Sequence, residues 1–384
     1  MTSIDDERRD TDSKRDDRPS LRQGDAHPSS DKENAHLSPS KQAGRPEHAN
    51  DASERADPYQ DSALASRREF LTRAVGGVAV GGLLAAGSLV LHRGRGQRLT
   101  KGQNLQPARS FRVVSPKGSP TGVMVTGSDL AKRLDAALNR LGGLGHFIKP
   151  GDRVLLKPNM AWDREPDYAA TTNPALVELL IRRCKRAGAK QVIVSDHSVS
   201  DPHRAARRSG IEQACTKAGA RLVIPGSNDY VTARLAGRRL QSWPVLSLLY
   251  KVDKIIDLPV PKHHSLSRMT GALKNWIGIA GGTRRRLHQD IGTTIVDLIA
   301  AFPPTLVVAD ASRVLMRHGP TGGRLSDVKE TKVLVAGTDP ATVDAALLPL
   351  LGLEPDQVTH LLNAVARGLG TTDLSIISRI HLDG

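Results

Sequence analysis

Cysteine is nearly absent: Cys184 and Cys215 are the two in 384 residues, and no C-x-x-C pair occurs. Neither an iron–sulfur cluster nor a thiolate zinc cage can be assembled from so few thiolates in one chain. Both fall in patterns that read as buried helix, where a free thiol behaves as a small apolar residue; a single disulfide between them stays open. Aromatic residues are scarce too, with four Phe, four Tyr and three Trp. Proteins that read single-stranded nucleic acid stack its bases on such rings, so this composition argues against nucleic acid as a partner. Long uncharged runs are confined to one stretch, residues 74–91.

What is present divides the chain by charge. Residues 1–60 hold 14 Asp/Glu against 10 Lys/Arg, with one Tyr and no Val, Phe or Trp. Such a stretch cannot bury enough apolar surface to offset chain entropy, and 1–65 reads as a disordered polar extension. The whole chain carries a formal charge of +15, and residues 61–384 alone +19. That balance favours an anionic partner: a small oxyacid, a phosphate-bearing ligand or a lipid headgroup surface.

At residues 66–71 the chain reads Ser66-Arg67-Arg68-Glu69-Phe70-Leu71, and eighteen uncharged residues with five glycines follow from Ala74 to Leu91. The segment 66–91 resembles a twin-arginine export signal, S/T-R-R-x-F-L before a weakly hydrophobic run, with Arg67, Arg68, Phe70 and Leu71 at the matching positions. The resemblance implies the twin-arginine translocase as a partner and an extracytoplasmic destination. It also implies folding before export, as in proteins that take up a cofactor in the cytoplasm. Read plainly, the same segment is an N-terminal membrane anchor, and residues 74–91 would tether the protein if they stay attached.

After a linker over 92–108, residues 109–384 alternate strand-like and helix-like segments. This predicts an α/β domain, a parallel or mixed sheet flanked by helices. Strands are expected at 153–156, 191–195, 221–224, 254–258, 305–309 and 332–336. Helices are expected at 129–141 behind a Ser128 cap, and at 174–187, 204–219, 293–302, 341–351 and 356–367. The stretch 225–252 is less regular and reads as an insertion or a bent edge. Ligands of open α/β sheets bind beyond the carboxyl ends of the strands, and five predicted strand ends are polar: Lys157-Pro158-Asn159, Asp196-His197, Lys262-His263-His264, Asp310 and Asp339. Asp339 also stands where it would cap the next helix.

Lys262, His264 and Lys274 place two cations and a titratable ring within thirteen residues. Thr270 and Gly271 lie between them, where backbone N–H groups could approach a ligand, an arrangement suited to a carboxylate or phosphate. Lys157, Asn159 and Asn275 would help bind and orient it, and His264, with Lys262 and Lys274 as catalytic companions, would exchange a proton near neutral pH. Alternatively, His264 with Asp196, His197 and Asp310 would offer nitrogen and oxygen ligands to a divalent metal. The run Arg284-Arg285-Arg286-Leu287-His288 reads either as a basic lid over an anion or as a solvated loop, with the loop preferred. Gly319-Pro320-Thr321-Gly322-Gly323 is neither a Walker loop nor a dinucleotide fingerprint.

Residues 110–384 resemble the family of domain of unknown function 362 (DUF362). The block Lys262-x-His264-x5-Thr270-Gly271-Ala272-x-Lys274-Asn275-x2-Gly278 matches the family's K-x-H-x5-T-G-A-x-K-N-x2-G pattern. Lys157-Pro158-Asn159, Thr172-Asn173-Pro174, Asp310, Gly319-Pro320-x2-Gly323 and Thr338-Asp339-Pro340-x3-Asp344 resemble further family positions. The resemblance implies no agreed reaction. Many relatives carry a ferredoxin-like module or work beside iron–sulfur proteins, and this chain has no cysteine clusters of that kind. A fold-level likeness to nickel-dependent lactate racemases is an analogy without residue correspondence. The expectation is an exported protein that binds a small anionic ligand, with or without a divalent metal, and acts on it by acid–base or redox-associated chemistry. The alternative is a non-catalytic factor that holds or delivers a cofactor for an exported iron–sulfur or redox partner.

Overall fold

The computed structural model describes residues 104–383. The extension over 1–65, the segment 66–91 with Arg67, Arg68, Phe70 and Leu71, and linker residues 92–103 lie outside the described residues. Among the described residues, no helix is long and apolar enough to cross a membrane.

The strands are β1 (Gly122–Thr126), β2 (Arg153–Pro158), β3 (Gln191–Ser195), β4 (Arg221–Val223), β5 (Tyr230–Arg234) and β6 (Ser242–Leu246). They continue as β7 (Lys254–Leu258), β8 (Lys262–His264), β9 (Arg268–Thr270), β10 (Leu306–Leu315), β11 (Val328–Gly337) and β12 (Ile377–His381). One sheet runs in the order β12-β1-β11-β10-β7-β2-β3-β4, with β8 attached to β10 and β9 to β8. From β10 through β7, β2 and β3 to β4 every pairing is parallel, whereas β11 is antiparallel to both β10 and β1. The fold is therefore mixed α/β, with helices on both faces of a mostly parallel sheet.

Side-chain alternation along the central strands explains the two faces. Leu155, Ile193, Ile255 and Val307 pack into one core with the helices Ile291–Ala301, Pro340–Leu351 and Thr359–Val365. Val154, Leu156, Val192, Val194, Ile256 and Val308 pack into the other, against helices Leu130–Arg140, Pro174–Arg186 and Ile211–Ala218. Cys184 and Cys215 lie in this second core as free buried thiols, and burial pushes each up to about 12.

Several expectations change. The first helix is capped by Asp129, whose carboxylate accepts the Ala131 and Lys132 N–H groups at 2.7 and 3.0 Å, rather than by Ser128. The single helix expected over 204–219 is two, Pro202–Arg208 and Ile211–Ala218, divided where Gly210 turns to φ 74°. The irregular stretch 225–252 contains the antiparallel hairpin β5–β6. Strands β10 and β11 run ten residues each, and Asp310 sits inside β10 opposite Leu334, not at its end. Because β11 is antiparallel to β10, Asp339 follows it at the opposite end of the strands; it caps helix Pro340–Leu351 through the Ala341 and Thr342 N–H groups at 3.1 and 3.3 Å.

Candidate anion-binding site

The site begins where β2 and β3 end side by side. Lys157, the next-to-last residue of β2, is fully buried and donates from Nζ to Asp196 Oδ1 at 2.8 Å and to the Pro158 carbonyl at 2.9 Å. Asp196 Oδ2 accepts the Met160 N–H at 2.8 Å, so both oxygens of this buried carboxylate are engaged. The pair fits because residue 278 is glycine: a Cβ there would lie 1.9 Å from Asp196 Oδ1 and 2.7 Å from Lys157 Nζ.

Beside the pair runs a one-way line of hydrogen bonds. Lys262 Nζ donates to Asn159 Oδ1 at 3.2 Å, Asn159 Nδ2 to Asn275 Oδ1 at 3.0 Å, and Asn275 Nδ2 to Asp257 Oδ1 at 2.8 Å. Thr172 fixes the turn that carries Asn159, accepting its N–H at 2.7 Å and donating to Leu258 O at 2.5 Å. Lys262 also donates to the Ala170 carbonyl and has neutral acceptors only, although it is 1% exposed. Burial first, and the Lys274 charge second, hold its ammonium well below the ordinary lysine range.

At the inner end of this line, Asp257 Oδ2 is buried without a partner. Burial pushes the Asp257 carboxyl up to about 8, against the pull of Lys157 and Asn275. The fold thus favours the neutral acid, and its contribution to stability is complete below the ordinary value of 3.8 and fades as pH rises through about 8. Asp257→Asn cannot ionise. Its melting temperature should therefore gain on the wild type steadily between pH 5 and pH 8; a gap independent of pH would mean that Asp257 is ionised in the folded protein.

Lys274 stands in the short helix Ala272–Asn275. It is half-buried and, among the described residues, has neither an ion pair nor a hydrogen bond for its ammonium. Burial and then the nearby Arg284 charge pull it down to about 8. Its own charge lowers Lys262, His264, His288 and His360 in turn. The cations Lys262, Lys274 and Arg284 accumulate here without a carboxylate bonded to any of them.

The helix start that was expected to offer free backbone N–H groups does not. Asp344 takes the Ala272 and Leu273 N–H groups at 2.5 and 3.0 Å, and burial pushes its carboxyl up to about 7 against those two bonds. Gly271 makes room for Asp344, whose Oδ1 would lie 2.1 Å from a Cβ at that position. Thr270 pairs with Lys262 across β8 and β9, and its hydroxyl is buried without a partner.

His264 is not placed as a general base. Its Nδ1 accepts the Leu266 and Ser267 N–H groups at 3.1 and 3.3 Å, so the proton of the neutral ring is on Nε2. Burial, with the Lys274 and Lys262 charges, takes it down to about 3, which leaves it a neutral donor near pH 7. The metal set Asp196, His264 and Asp310 does not converge either. Asp196 is bound to Lys157 and Met160, while Asp310 accepts from Asn173 at 2.8 Å and from the Ser312 N–H at 2.9 Å, with Arg133 3.8 Å away. Among the described residues, no three His, Cys, Asp or Glu side chains are grouped to hold a metal ion.

Arg284 corrects the solvated-loop reading of 284–288. Arg285, Arg286 and His288 are exposed, but Arg284 is half-buried and donates to the His197 and Ser198 carbonyls at 2.9 and 2.8 Å. The sequence signal was Leu287, fully buried within the basic run, which pins the segment to the fold. Asp257 and Asp344 were also missed as members of this site; each is the lone carboxylate of its strand or helix.

A family model described as domain of unknown function (DUF362) matches residues 154–348. The curated thylakoid-associated protein sll1697 of Synechocystis sp. is 27% identical over 254 residues, which cover 64% of this chain and 77% of that protein. Among solved structures, the lactate racemase apoprotein from Thermoanaerobacterium thermosaccharolyticum shares 12% identity at a TM-score of 0.35, covering 60% of this chain and 58% of that one. A protein from Thermotoga maritima shares 11% identity at a TM-score of 0.34, covering 59% of this chain and 60% of its own. The chain therefore spans less than two thirds of either structure.

Proposed function

The chain belongs to the DUF362 family, and we propose that this member binds a small oxyanion, a carboxylate or phosphate, at the rim formed by Lys262, Lys274, Arg284 and His264. The observation that carries the reading is the unpaired Lys274 ammonium. A half-buried charge costs stability unless it is neutralised, and the neighbours of Lys274 are further cations and neutral donors rather than carboxylates. An oxyanion would receive N–H donors from Lys274 and from His264 Nε2, under the field of Lys262 and Arg284. Asn159 and Asn275 serve by fixing Lys262 rather than by touching the ligand. Any proton exchange near neutral pH falls to Lys274, whose value of about 8 lies close to it, not to His264.

Calorimetric titration of the full chain with inorganic phosphate and with acetate tests this. Wild type should bind at least one of them, and Lys274→Met should weaken that binding at least roughly ten-fold, the size of a lost charged hydrogen bond. The folded value of Lys274 is lowered, so its stability contribution is present above pH 10.5 and lost as pH falls through about 8. Lys274→Met should therefore melt higher than wild type at pH 7, by roughly 2–6 °C in a domain of this size. Unchanged binding in the variant, or no anion binding in the wild type, sinks the proposal.

Export by the twin-arginine route is part of the same proposal. It rests on residues 66–91 of the sequence, and a relative whose name is thylakoid-associated is in keeping with a site of action at a membrane.

A further inference from the structure

Next to the cationic rim, beneath the β5–β6 hairpin, lies an open pocket of about 500 Å³ whose lining includes His197, Pro225, Ser227, Tyr230, Thr232 and Pro244. A volume of this order holds a small organic ligand. Arg284 connects the pocket to the rim: it donates to the His197 and Ser198 carbonyls, and its charge acts on both His197 and Lys274.

The polar groups of the pocket are set in defined roles. His197 Nδ1 lies 2.9 Å from the Ala280 carbonyl and 2.8 Å from Tyr230 Oη. A carbonyl can only accept, so the ring proton is on Nδ1. Nδ1–H is then shared between Ala280 O and Tyr230 Oη, which leaves the tyrosine O–H free to donate and His197 Nε2 free to accept. Among the described residues neither group has another partner. Residue 281 is glycine where a Cβ would lie 2.4 Å from Tyr230 Cδ1, so the ring is seated closely against the backbone. Burial, with Arg284, keeps His197 below its ordinary value, and the pair is neutral near pH 7.

A donor and an acceptor held side by side, both neutral, match a hydroxyl group, which needs one of each. Ser227 and Thr232 add further hydroxyls to the wall. On the rim, three cations without bonded carboxylates suit a dianion better than a single carboxylate. We propose that the pocket holds the hydroxyl-bearing body of a polyol phosphate monoester whose phosphate sits on the Lys274 rim, with Tyr230 and His197 as the residues that select for hydroxyls. This rests on the anion reading above and goes beyond it in naming the ligand class.

The experiment compares inorganic phosphate, n-hexyl phosphate and sorbitol 6-phosphate by calorimetry on the full chain. Hexyl phosphate has the same chain length without hydroxyls. Wild type should bind sorbitol 6-phosphate at least about ten-fold more tightly than hexyl phosphate, as expected for a site that hydrogen-bonds hydroxyls. Tyr230→Phe removes one oxygen and should cut that preference to about two-fold, with affinity for inorganic phosphate unchanged. Lys274→Met should weaken all three. If phosphate binds but sorbitol 6-phosphate gains nothing over hexyl phosphate, or Tyr230→Phe leaves the preference intact, the pocket assignment is overturned and the anion site stands. If none of the three binds, the pocket assignment falls, and the anion site falls with it unless acetate binds.

Discussion

Gly278→Ala should destabilise the protein by about 2–4 kcal/mol, a large effect for one methyl group. The new Cβ would stand 1.9 Å from Asp196 Oδ1 and 2.7 Å from Lys157 Nζ. Neither side chain can retreat, since Lys157 is fully buried and Asp196 is 1% exposed, with its second oxygen tied to the Met160 N–H. Forcing a buried ion pair apart costs about 3–5 kcal/mol, while the usual gain of alanine over glycine in a helical segment offsets at most about 1 kcal/mol. Gly145→Ala is the control: that glycine is exposed, with nothing within 4 Å of where a Cβ would stand, and should change stability by less than about 0.5 kcal/mol. Urea denaturation of the three proteins measures the difference. A Gly278→Ala protein as stable as the control would show that the Lys157–Asp196 pair does not need the space.

Replacing Arg67 and Arg68 together by lysine should leave nearly all of the protein on the cytoplasmic side of the host membrane. The export pathway reads the paired guanidinium groups, and lysine keeps the charge of that pair while losing its planar fork of donors. Fractionation of cells producing the full chain, with the lysine pair and with the native pair, gives the answer. Equal export of both would remove the twin-arginine assignment and leave the hydrophobic stretch as a plain anchor. Because the substitutions lie outside the described domain, phosphate binding by the retained protein should equal that of the wild type, which separates transport from folding.

The sheet was legible wherever strands are buried on both faces. Val154-Leu155-Leu156 and Val192-Ile193-Val194 are short continuous apolar runs, and both became parallel central strands. It was less legible where polar residues interrupt a strand. Asp310, Ser312 and Arg313 hid the second half of β10, whose register shifts between Ala311 and Arg313. The edge strand β12, in which polar residues outnumber apolar ones, and its neighbour β1, whose apolar run Val123-Met124-Val125 is three residues long, were missed. Within the site, Lys262, Lys274, Asn275 and Gly278 could be singled out because they are close in sequence. What each does could not, since Asn159, Asp196, Asp257 and Asp344 come from other parts of the chain, as far as the 116 residues that separate Asn159 from Asn275. Gly271 is the clearest instance: glycine was expected to admit a ligand, and it admits a carboxylate of the protein itself.

The line from Lys262 through Asn159 and Asn275 to Asp257 has a consequence for how the rim keeps its shape. An amide can be turned end for end at little steric cost, yet neither asparagine here has that freedom. Turning Asn159 would set its nitrogen against the Lys262 ammonium, and turning Asn275 would set its nitrogen against that of Asn159. Only a simultaneous reversal of every member would relieve the conflict, and an ammonium cannot accept a hydrogen bond. The polarity of the whole row is thus dictated by its one end that cannot be reversed, and a lysine at the rim sets the orientation of amides reaching into the centre of the sheet.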